Sequence, residues 1–188
     1  MELHYKNITI SGGVAVGKNT LINNLKPYLE PLNWTFTSGG QILRDYLKEY
    51  VLPLASLADA NVHHRIDDRT ISLLEKGNYC VEAWLGGFMA RERKDTLRVF
   101  LYCSNEAIRV DRVVNRDAVT SVDEAKKFIK QREEDNMKEW KKIYGDFEFW
   151  DKKYYHIFID TYSSGPNETV GKVLDALGFD PKKMNRIK

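Results

Sequence analysis

The sequence contains little cysteine and no long apolar run. Its only two cysteines, Cys80 and Cys103, cannot build a disulfide framework or a zinc site of several cysteines. No apolar stretch approaches the roughly 18 to 20 residues that cross a bilayer, and the first residues lack the hydrophobic segment of a signal peptide. We therefore expect a protein of the reducing cytoplasm that has no membrane partner.

The chain also lacks an excess of charge of either sign. Its 29 Lys and Arg residues face 27 Asp and Glu residues, which leaves a formal net charge of +2. A protein that holds nucleic acid by bulk electrostatics is strongly basic, and no stripe of aromatic and basic residues compensates here. We expect no nucleic acid partner. With 43% apolar residues, the 188-residue chain can bury the core of one domain over 1–188, which we expect to be a monomer.

Short apolar runs alternate with helical patterns along the chain. The predicted strands are 5–11, 34–37, 79–82, 98–103 and 156–160. Near-continuous apolar runs are typical of strands buried on both faces of a parallel sheet. The alternation therefore predicts an α/β fold of three layers, with a central parallel sheet of about five strands between helices. Ligands of such sheets bind at the carboxyl ends of the strands, so function is expected there.

Three predicted helices are relevant to the site. One follows the glycines at 39 and 40 and ends before Pro53, and the next covers 56–76, so that about 38–76 forms an acceptor-binding region. A long charged helix starts at Ser121, where Glu124 completes a capping box, and ends at Gly145. The region of about 109–145 is predicted to form a helical lid.

A glycine-rich segment connects the first strand to the first helix. Its residues are Gly12, Gly13, Val14, Ala15, Val16, Gly17, Lys18, Asn19 and Thr20. They fit the P-loop pattern G-x-x-x-x-G-K, whereas the dinucleotide pattern G-x-G-x-x-G fails because its second glycine is Val14. The backbone N–H groups and the helix N-terminus of such a loop face an anion, and Lys18 can reach the β- and γ-phosphates. We therefore predict a P-loop NTPase fold in which residues 12–20 bind the phosphates of ATP.

Asn19 occupies the position where a P-loop usually has Ser or Thr. A hydroxyl there normally binds the Mg²⁺ that accompanies the nucleotide. An asparagine can offer its amide oxygen to the metal or hold a metal-bound water, and both alternatives remain open. Glu82 ends a predicted strand at the ligand edge, where it can organise water around Mg²⁺ or accept a hydrogen bond from the acceptor. We expect Mg²⁺ with ATP as the cofactor, near Asn19 and Glu82.

A second strand, glycine turn and helix follow at Ser38, Gly39 and Gly40. Arg44, one turn into that helix, can bind a second phosphate through its planar guanidinium group. Asp68 belongs to a charged cluster on the next helix, and its carboxylate can accept a hydrogen bond from the exocyclic amine of cytosine. The same cluster can equally be a solvated ion-pair face.

Three arginines, Arg109, Arg112 and Arg116, are predicted to lie on one face of a helix. Like charges at this spacing repel one another unless an anion lies against them, and phosphates would serve. Phosphoryl transfer depends mainly on positioned cations and on the exclusion of water. Of these arginines, Arg112 and Arg116 are candidate catalytic residues of the lid, together with Lys18 in the loop.

Three segments together resemble the archaeal-type cytidylate kinases, which are relatives of adenylate kinase. They are Ser-Gly-Gly-Gln-Ile-Leu-Arg at 38–44, Val-Glu-Ala-Trp-Leu-Gly-Gly-Phe-Met-Ala at 81–90, and 106–116. The resemblance extends from about residue 8 to residue 161. It implies an enzyme that transfers the γ-phosphate of ATP to CMP or dCMP, with these nucleotides as its partners.

The resemblance also implies roles for individual residues. Ser38, Gly40 and Arg44 would hold the acceptor nucleotide. Arg112 would stack on the adenine of ATP and Arg116 would reach its phosphates. Arg132, which resembles the arginine of an Arg-Glu pair in the family, would swing inward when the lid closes.

The chain departs from the family where relatives commonly show Glu-Gly-Arg. It has Glu82, Ala83 and Trp84 there, so an arginine that would bind the acceptor phosphate is missing. This difference, together with Asn19, leaves two alternatives open. The acceptor would be AMP or UMP in one of them, and in the other the protein binds ATP without turning over a monophosphate.

Overall fold

The computed structural model describes residues 2–49, 60–116 and 119–184. Its sheet consists of β1 (Asn7–Ser11), β2 (Thr35–Ser38), β3 (Tyr79–Glu82), β4 (Thr96–Tyr102) and β5 (Ile157–Asp160). The strands are ordered β2-β3-β1-β4-β5, and each adjacent pair is parallel. The predicted α/β class and five-stranded parallel sheet are confirmed, and every predicted strand end lies within two residues of the observed one.

Helices connect the strands and cover the sheet. They are α1 (Lys18–Leu29), α2 (Gly39–Glu49), α3 (Ala60–Lys76), α4 (Gly86–Met89), α5 (Glu106–Arg116), α6 (Val122–Tyr144), α7 (Pro166–Leu177) and α8 (Pro181–Met184). The predicted end of α2 near Pro53 and the predicted start of α3 at residue 56 lie outside the described residues. None of the helices described has the length and apolar composition of a membrane-spanning segment.

The two faces of the sheet carry separate apolar clusters. Cys80 belongs to the cluster that α1 and α7 form with Leu25 and Leu177. The next residue, Val81, belongs to the cluster with Leu74 of α3. Because successive side chains of a strand point to opposite faces, helices cover the sheet on both sides. This is the predicted arrangement of three layers.

The register of β3 brings the ends of three strands together. Glu82, the last residue of β3, lies opposite Ile10 of β1 on one side and opposite Ser38 of β2 on the other. The chain therefore leaves β1 and β2 at the same edge of the sheet, about 10 Å apart across one intervening strand. Residues 12–17 and the start of α2 are consequently near neighbours.

The predicted turn at 38–40 is wrong, because β2 runs directly into α2. Gly39 and Gly40 are the first residues of the helix, and neither has a positive φ. The Ser38 hydroxyl accepts a hydrogen bond from the backbone N–H of Gln41 at 3.1 Å. Since this bond satisfies one of the free N–H groups at the helix start, the helix begins without a separate turn.

The predicted capping box at the start of α6 is only half correct. Ser121 caps the helix, since its hydroxyl accepts a hydrogen bond from the backbone N–H of Glu124 at 3.2 Å. The Glu124 carboxylate does not bond back to Ser121 but accepts from the N–H and the hydroxyl of Thr120, both at 2.9 Å. Thr120 offers two donors where Ser121 would offer one. Gly145 ends the helix as predicted.

Helix α4 packs closely against aromatic side chains. Phe88 is 3% exposed, and its ring centroid lies 4.9 Å from that of Phe149. A Cβ atom added to Gly87 would lie 2.1 Å from the ring of Tyr155. The hydroxyl of Tyr155 donates a hydrogen bond to the carbonyl of Phe149 at 3.0 Å, so the ring cannot move without losing this bond.

We expect Gly87→Ala to destabilise the fold. The added methyl group has no room beside Tyr155, and overpacking of this kind costs about 1–3 kcal/mol in the free energy of unfolding. Urea unfolding followed by far-UV circular dichroism measures the change.

Gly171 in α7 provides the matched control. No atom lies within 4 Å of the position that its Cβ would occupy. We expect Gly171→Ala to raise the free energy of unfolding by about 0.5–1 kcal/mol, because alanine is the better helix former. Equal effects of the two substitutions would contradict the packing described for α4.

Candidate active site

The loop between β1 and α1 is tightly curled. Gly12, Ala15 and Gly17 have positive φ values of 142°, 56° and 92°. A Cβ atom at Gly12 would lie 2.3 Å from the carbonyl oxygen of Leu101, so only glycine fits there. A positive φ is uncommon for alanine and indicates local strain at Ala15. The loop therefore has the conformation that places successive N–H groups around an anion.

Lys18, the first residue of α1, lies under this loop. Its ammonium group donates hydrogen bonds to the carbonyls of Gly12 at 2.8 Å and Gly13 at 2.7 Å, and its Nζ lies 3.5 Å from a carboxylate oxygen of Glu82. The residue is 9% exposed. Burial lowers the pKa of Lys18 below its usual value, and the charge of Glu82 opposes this shift.

Trp84 lies beside Lys18 and two other tryptophans. The Lys18 ammonium is 5.2 Å from the centroid of the Trp84 ring. The ring also contacts Trp140 and Trp150, with centroids 5.7 Å and 6.2 Å apart. Trp84 thus connects the aromatic side chains packed around Phe149 to the phosphate loop.

A cavity of about 710 Å³ opens over the phosphate loop. The loop and the start of α1 form one wall, and residues of α5, α6 and the β5–α7 connection form the others. Its lining residues are Val14, Ala15, Val16, Gly17, Lys18, Asn19, Thr20, Leu21, Glu82, Trp84, Asp111, Arg112, Asn115, Arg116, Phe128, Arg132, Thr161, Ser164, Pro166 and Thr169. Most of the residues predicted to bind ATP therefore face one space.

Arg112, Arg116 and Arg132 line this cavity. Arg109, which was predicted to share their site from its place on one helix face with Arg112 and Arg116, is not among the described residues that line it and binds Glu133 instead. Arg112 donates hydrogen bonds to the carbonyl of Ala15 at 3.0 Å and to the hydroxyl of Thr161 at 3.1 Å. Arg116 and Arg132 are exposed on α5 and α6, and the guanidinium carbon of Arg132 lies 5.7 Å from the ring centroid of Phe128. The arginines and Lys18 thus bring four cationic side chains to one cavity.

Arg44 and its neighbours do not line the main cavity. Arg44 is exposed on α2, and its guanidinium group donates a hydrogen bond to the side chain of Gln41 at 2.8 Å. The start of α2 nevertheless lies beside the site, because a Cβ added to Gly39 would be 3.7 Å from the carbonyl oxygen of Glu82. Ser38 is the last residue of β2, and Gly40 is the second residue of α2.

Asp68 lies in a second, smaller cavity. This cavity of about 220 Å³ is lined by Asp67, Asp68, Ile71, Phe88, Met89, Arg91, Tyr144 and Phe147. The Tyr144 hydroxyl donates a hydrogen bond to Asp67, which fastens the end of α6 to α3. Burial raises the pKa of Asp67 to about 6, although the hydrogen bond from Tyr144 opposes the shift. Asp68 is exposed at the edge of this cavity.

Oxygen donors suitable for Mg²⁺ line the main cavity. They include the Asn19 amide, the Thr20 hydroxyl and the Glu82 carboxylate. No group of three His, Cys, Asp or Glu side chains suited to a metal ion occurs in 2–49, 60–116 and 119–184. Mg²⁺ commonly binds to one or two protein oxygens together with substrate phosphates and water. The residues present therefore fit a metal that arrives with the nucleotide.

The sequence did not reveal the position of Glu133. Its carboxylate accepts a hydrogen bond from the backbone N–H of Val14 at 2.9 Å and another from Arg109. Glu133 directly follows Arg132, which resembles the arginine of the family's Arg-Glu pair, but neither this resemblance nor the charged local sequence indicated that Glu133 contacts Val14. The contact joins residues 119 positions apart, so only the fold reveals it.

Comparison with known proteins identifies the family and the fold of the chain. A sequence profile of the cytidylate kinase-like family matches residues 37–163. The crystal structure of shikimate kinase from Bacteroides thetaiotaomicron superimposes with a TM-score of 0.54 at 15% identity, covering 92% of this chain and 98% of that chain. This likeness shows the P-loop kinase fold.

Two relatives are similar along most of the chain. The cytidylate kinase of Thermococcus sibiricus is 31% identical over 165 residues, which cover 85% of this chain and 81% of that protein. The cytidylate kinase of Ignicoccus hospitalis is 30% identical over 175 residues, which cover 89% of this chain and 98% of that protein. The chain therefore belongs to the cytidylate kinase-like family.

Proposed function

We propose that this protein is a nucleoside monophosphate kinase that transfers the γ-phosphate of ATP to CMP or dCMP, giving ADP and the corresponding diphosphate. One observation carries the proposal. A single cavity has the phosphate loop and Lys18 on one wall and Arg112, Arg116 and Arg132 on the others. The names of its relatives, which are cytidylate kinases, indicate the acceptor.

The phosphate loop would bind the donor. Its N–H groups and the N-terminus of α1 face anionic oxygens, and Lys18 contributes the charge nearest to them. Because Lys18 is held by the carbonyls of Gly12 and Gly13, its position is set before ATP arrives. Little reorganisation is then required when charge develops on the transferring group.

The acceptor would approach from the α2 side of Glu82. The start of α2 and the phosphate loop leave the same sheet edge on the two sides of Glu82. Arg44 is the cation of α2 that would bind the acceptor phosphate, with Ser38, Gly39 and Gly40 supplying the backbone around it. This arrangement allows one phosphoryl group to pass between the two nucleotides without a covalent enzyme intermediate.

Arg112, Arg116 and Arg132 would close over the reacting phosphates. Phosphoryl transfer has a loose transition state with charge on the equatorial oxygens, so cations positioned there lower the barrier. Asn19 and Glu82 would hold Mg²⁺ that arrives with ATP, and the metal would supply positive charge to the phosphates. The lid also limits access of water, which would otherwise accept the phosphoryl group.

We expect purified protein to form ADP from ATP and Mg²⁺ when CMP or dCMP is added. A coupled ADP-release assay with CMP, dCMP, UMP and AMP in turn measures the preference. Preferential use of AMP or UMP would replace the proposed acceptor while retaining the kinase. Tight ATP binding without turnover of any monophosphate would instead identify an ATP-binding relative that is not a kinase.

We expect Arg116→Ala to reduce kcat on the order of 10³-fold, by analogy with other arginines that stabilise phosphoryl transfer. The residue is exposed, so the fold should persist with an unchanged circular dichroism spectrum. The ADP-release assay with saturating ATP and CMP measures the effect.

Lys130→Ala is the matched control for Arg116→Ala. Lys130 is an exposed cation of α6 and is not among the described residues that line the main cavity. Its Nζ lies 3.9 Å from a carboxylate oxygen of Glu134. We expect its kcat to stay within about twofold of that of the parent, because exposed ion pairs contribute little. An unchanged kcat in Arg116→Ala would remove this residue from the proposed mechanism.

The second cavity is the place where we propose that the acceptor base binds. Residues of α3, of α4 and of the end of α6 line this cavity. Asp68 can accept a hydrogen bond from the exocyclic amine of cytosine, whereas uracil has a carbonyl at the same position. A carboxylate at this place therefore favours CMP over UMP.

We expect Asp68→Asn to lower kcat/KM for CMP about tenfold or more, since the hydrogen bond from the cytosine amine loses its charged acceptor. An amide can also donate to the carbonyl of uracil, so the ratio of CMP to UMP activity should fall further. The KM for ATP should not change. Asp175→Asn, an exposed substitution in α7, serves as the control. An unaltered CMP to UMP ratio in Asp68→Asn would contradict this assignment of the base pocket.

A further inference from the structure

Glu133 binds the phosphate loop from the lid helix α6. Its Oε1 atom accepts hydrogen bonds from the backbone N–H of Val14 at 2.9 Å and from the guanidinium group of Arg109 in α5. Arg109 in turn donates through Nε to the carbonyl oxygen of Val14 at 3.1 Å. The N–H and C=O groups of one loop residue are thus both held by a single ion pair from the lid helices.

Gly13 makes room for this contact. A Cβ atom at position 13 would lie 2.1 Å from Oε1 of Glu133 and 3.4 Å from the ring of Trp150. The P-loop pattern accepts any residue at this position, so binding of phosphate does not by itself require glycine there. The Glu133 carboxylate occupies the space that a side chain of residue 13 would take.

The ion pair lies on the outer side of the loop. Among the described residues, neither Arg109 nor Glu133 lines the main cavity. Their neighbours do, since Arg112 follows Arg109 by about one helical turn and Arg132 directly precedes Glu133. The pair therefore fixes the lid helices to the loop without contacting the nucleotide.

We propose that Glu133 is a positioning residue for phosphoryl transfer, and that it acts as a pair with Gly13. Through Arg109 and the Val14 peptide, Glu133 sets the distance between the phosphate loop and the arginines of α5 and α6. This role rests on the proposed kinase function, because Glu133 affects the reaction through the positions of Arg112 and Arg132.

The chemistry of a carboxylate suits this position. Hydrogen bonds with an ionised partner are stronger than neutral ones, and one carboxylate oxygen can accept from both a guanidinium and a backbone N–H. The side chains of Arg109 and Glu133 are only 18% and 22% exposed, so water competes weakly for them. Because Arg109 neutralises the carboxylate, the negative charge near the loop does not repel the phosphates of ATP.

A double-substitution cycle tests the pairing. We expect Glu133→Ala to lower kcat with CMP by about tenfold to hundredfold, because small displacements of catalytic groups have effects of this size. Gly13→Ala should have a similar effect, since its methyl group displaces the carboxylate. In the double variant the added methyl group meets no carboxylate, so the two effects should not multiply. Its kcat should be no more than about threefold below the kcat of the less active single variant.

Further variants separate positioning from simple stabilisation. Glu133→Gln keeps an oxygen for the Val14 N–H but not the ion pair, so its kcat should lie between those of the parent and Glu133→Ala. The KM for CMP should change less than about threefold throughout, since the pair does not touch the acceptor. Glu134→Ala, an adjacent exposed substitution, should leave kcat unchanged.

A second measurement needs no acceptor. It is the affinity for ATP with Mg²⁺, determined by titration calorimetry on the parent, on Glu133→Ala, on Gly13→Ala and on the double variant. The same non-additivity is expected there, because the displaced loop carries the phosphate-binding N–H groups. If the parent protein phosphorylates no monophosphate, the proposed function fails. The ATP affinities of the four proteins still test whether Glu133 and Gly13 act as a pair. Independent effects that multiply in both readouts would overturn the proposal, as would a lowered melting temperature with unchanged kcat and ATP affinity.

Discussion

The parallel register of β3 between β1 and β2 is the constraint on which the site depends. It places Glu82 directly between the ends of the two neighbouring strands. The phosphate loop and the start of α2 therefore open at one edge, separated by a single strand. A slip in this register would carry Glu82 away from Lys18 and separate the two anion-binding segments, although each would keep its own local conformation.

The phosphate loop is held from two sides, and each side has its own electrostatics. On the inner side, Lys18 binds the Gly12 and Gly13 carbonyls and is balanced by Glu82. On the outer side, the Arg109–Glu133 pair binds the Val14 peptide. In both cases a cation and a carboxylate compensate each other near the loop. In the proposed function, the phosphates of ATP would meet a loop whose own charges are already paired, and the arginines that line the cavity would supply the remaining positive charge.

Local patterns in the sequence predict the strands, the P-loop and the Ser121 cap, because each depends on neighbours along the chain. They also predict that Lys18, Arg112, Arg116 and Arg132 share one site, since parallel strands end at one edge. They do not reveal that Glu133 touches Val14, or that Asp68 faces a cavity apart from the phosphate loop. Those contacts arise from the packing of α6 and α3 against distant segments, for which the local sequence carries no periodic signal.

Trp84 occupies the position where the family resemblance implies an arginine, and its contacts stabilise Lys18 in a different way. The Trp84 ring lies 5.2 Å from the Lys18 ammonium and packs on Trp140 of α6. A cation over an aromatic face is stabilised without adding charge, so Trp84 supports Lys18 where an arginine would have repelled it. In the proposed function, Arg44 and the arginines of the main cavity would supply the positive charge for the acceptor phosphate. Because Trp84 also contacts Trp140 of α6, this aromatic residue links the position of Lys18 to that of α6.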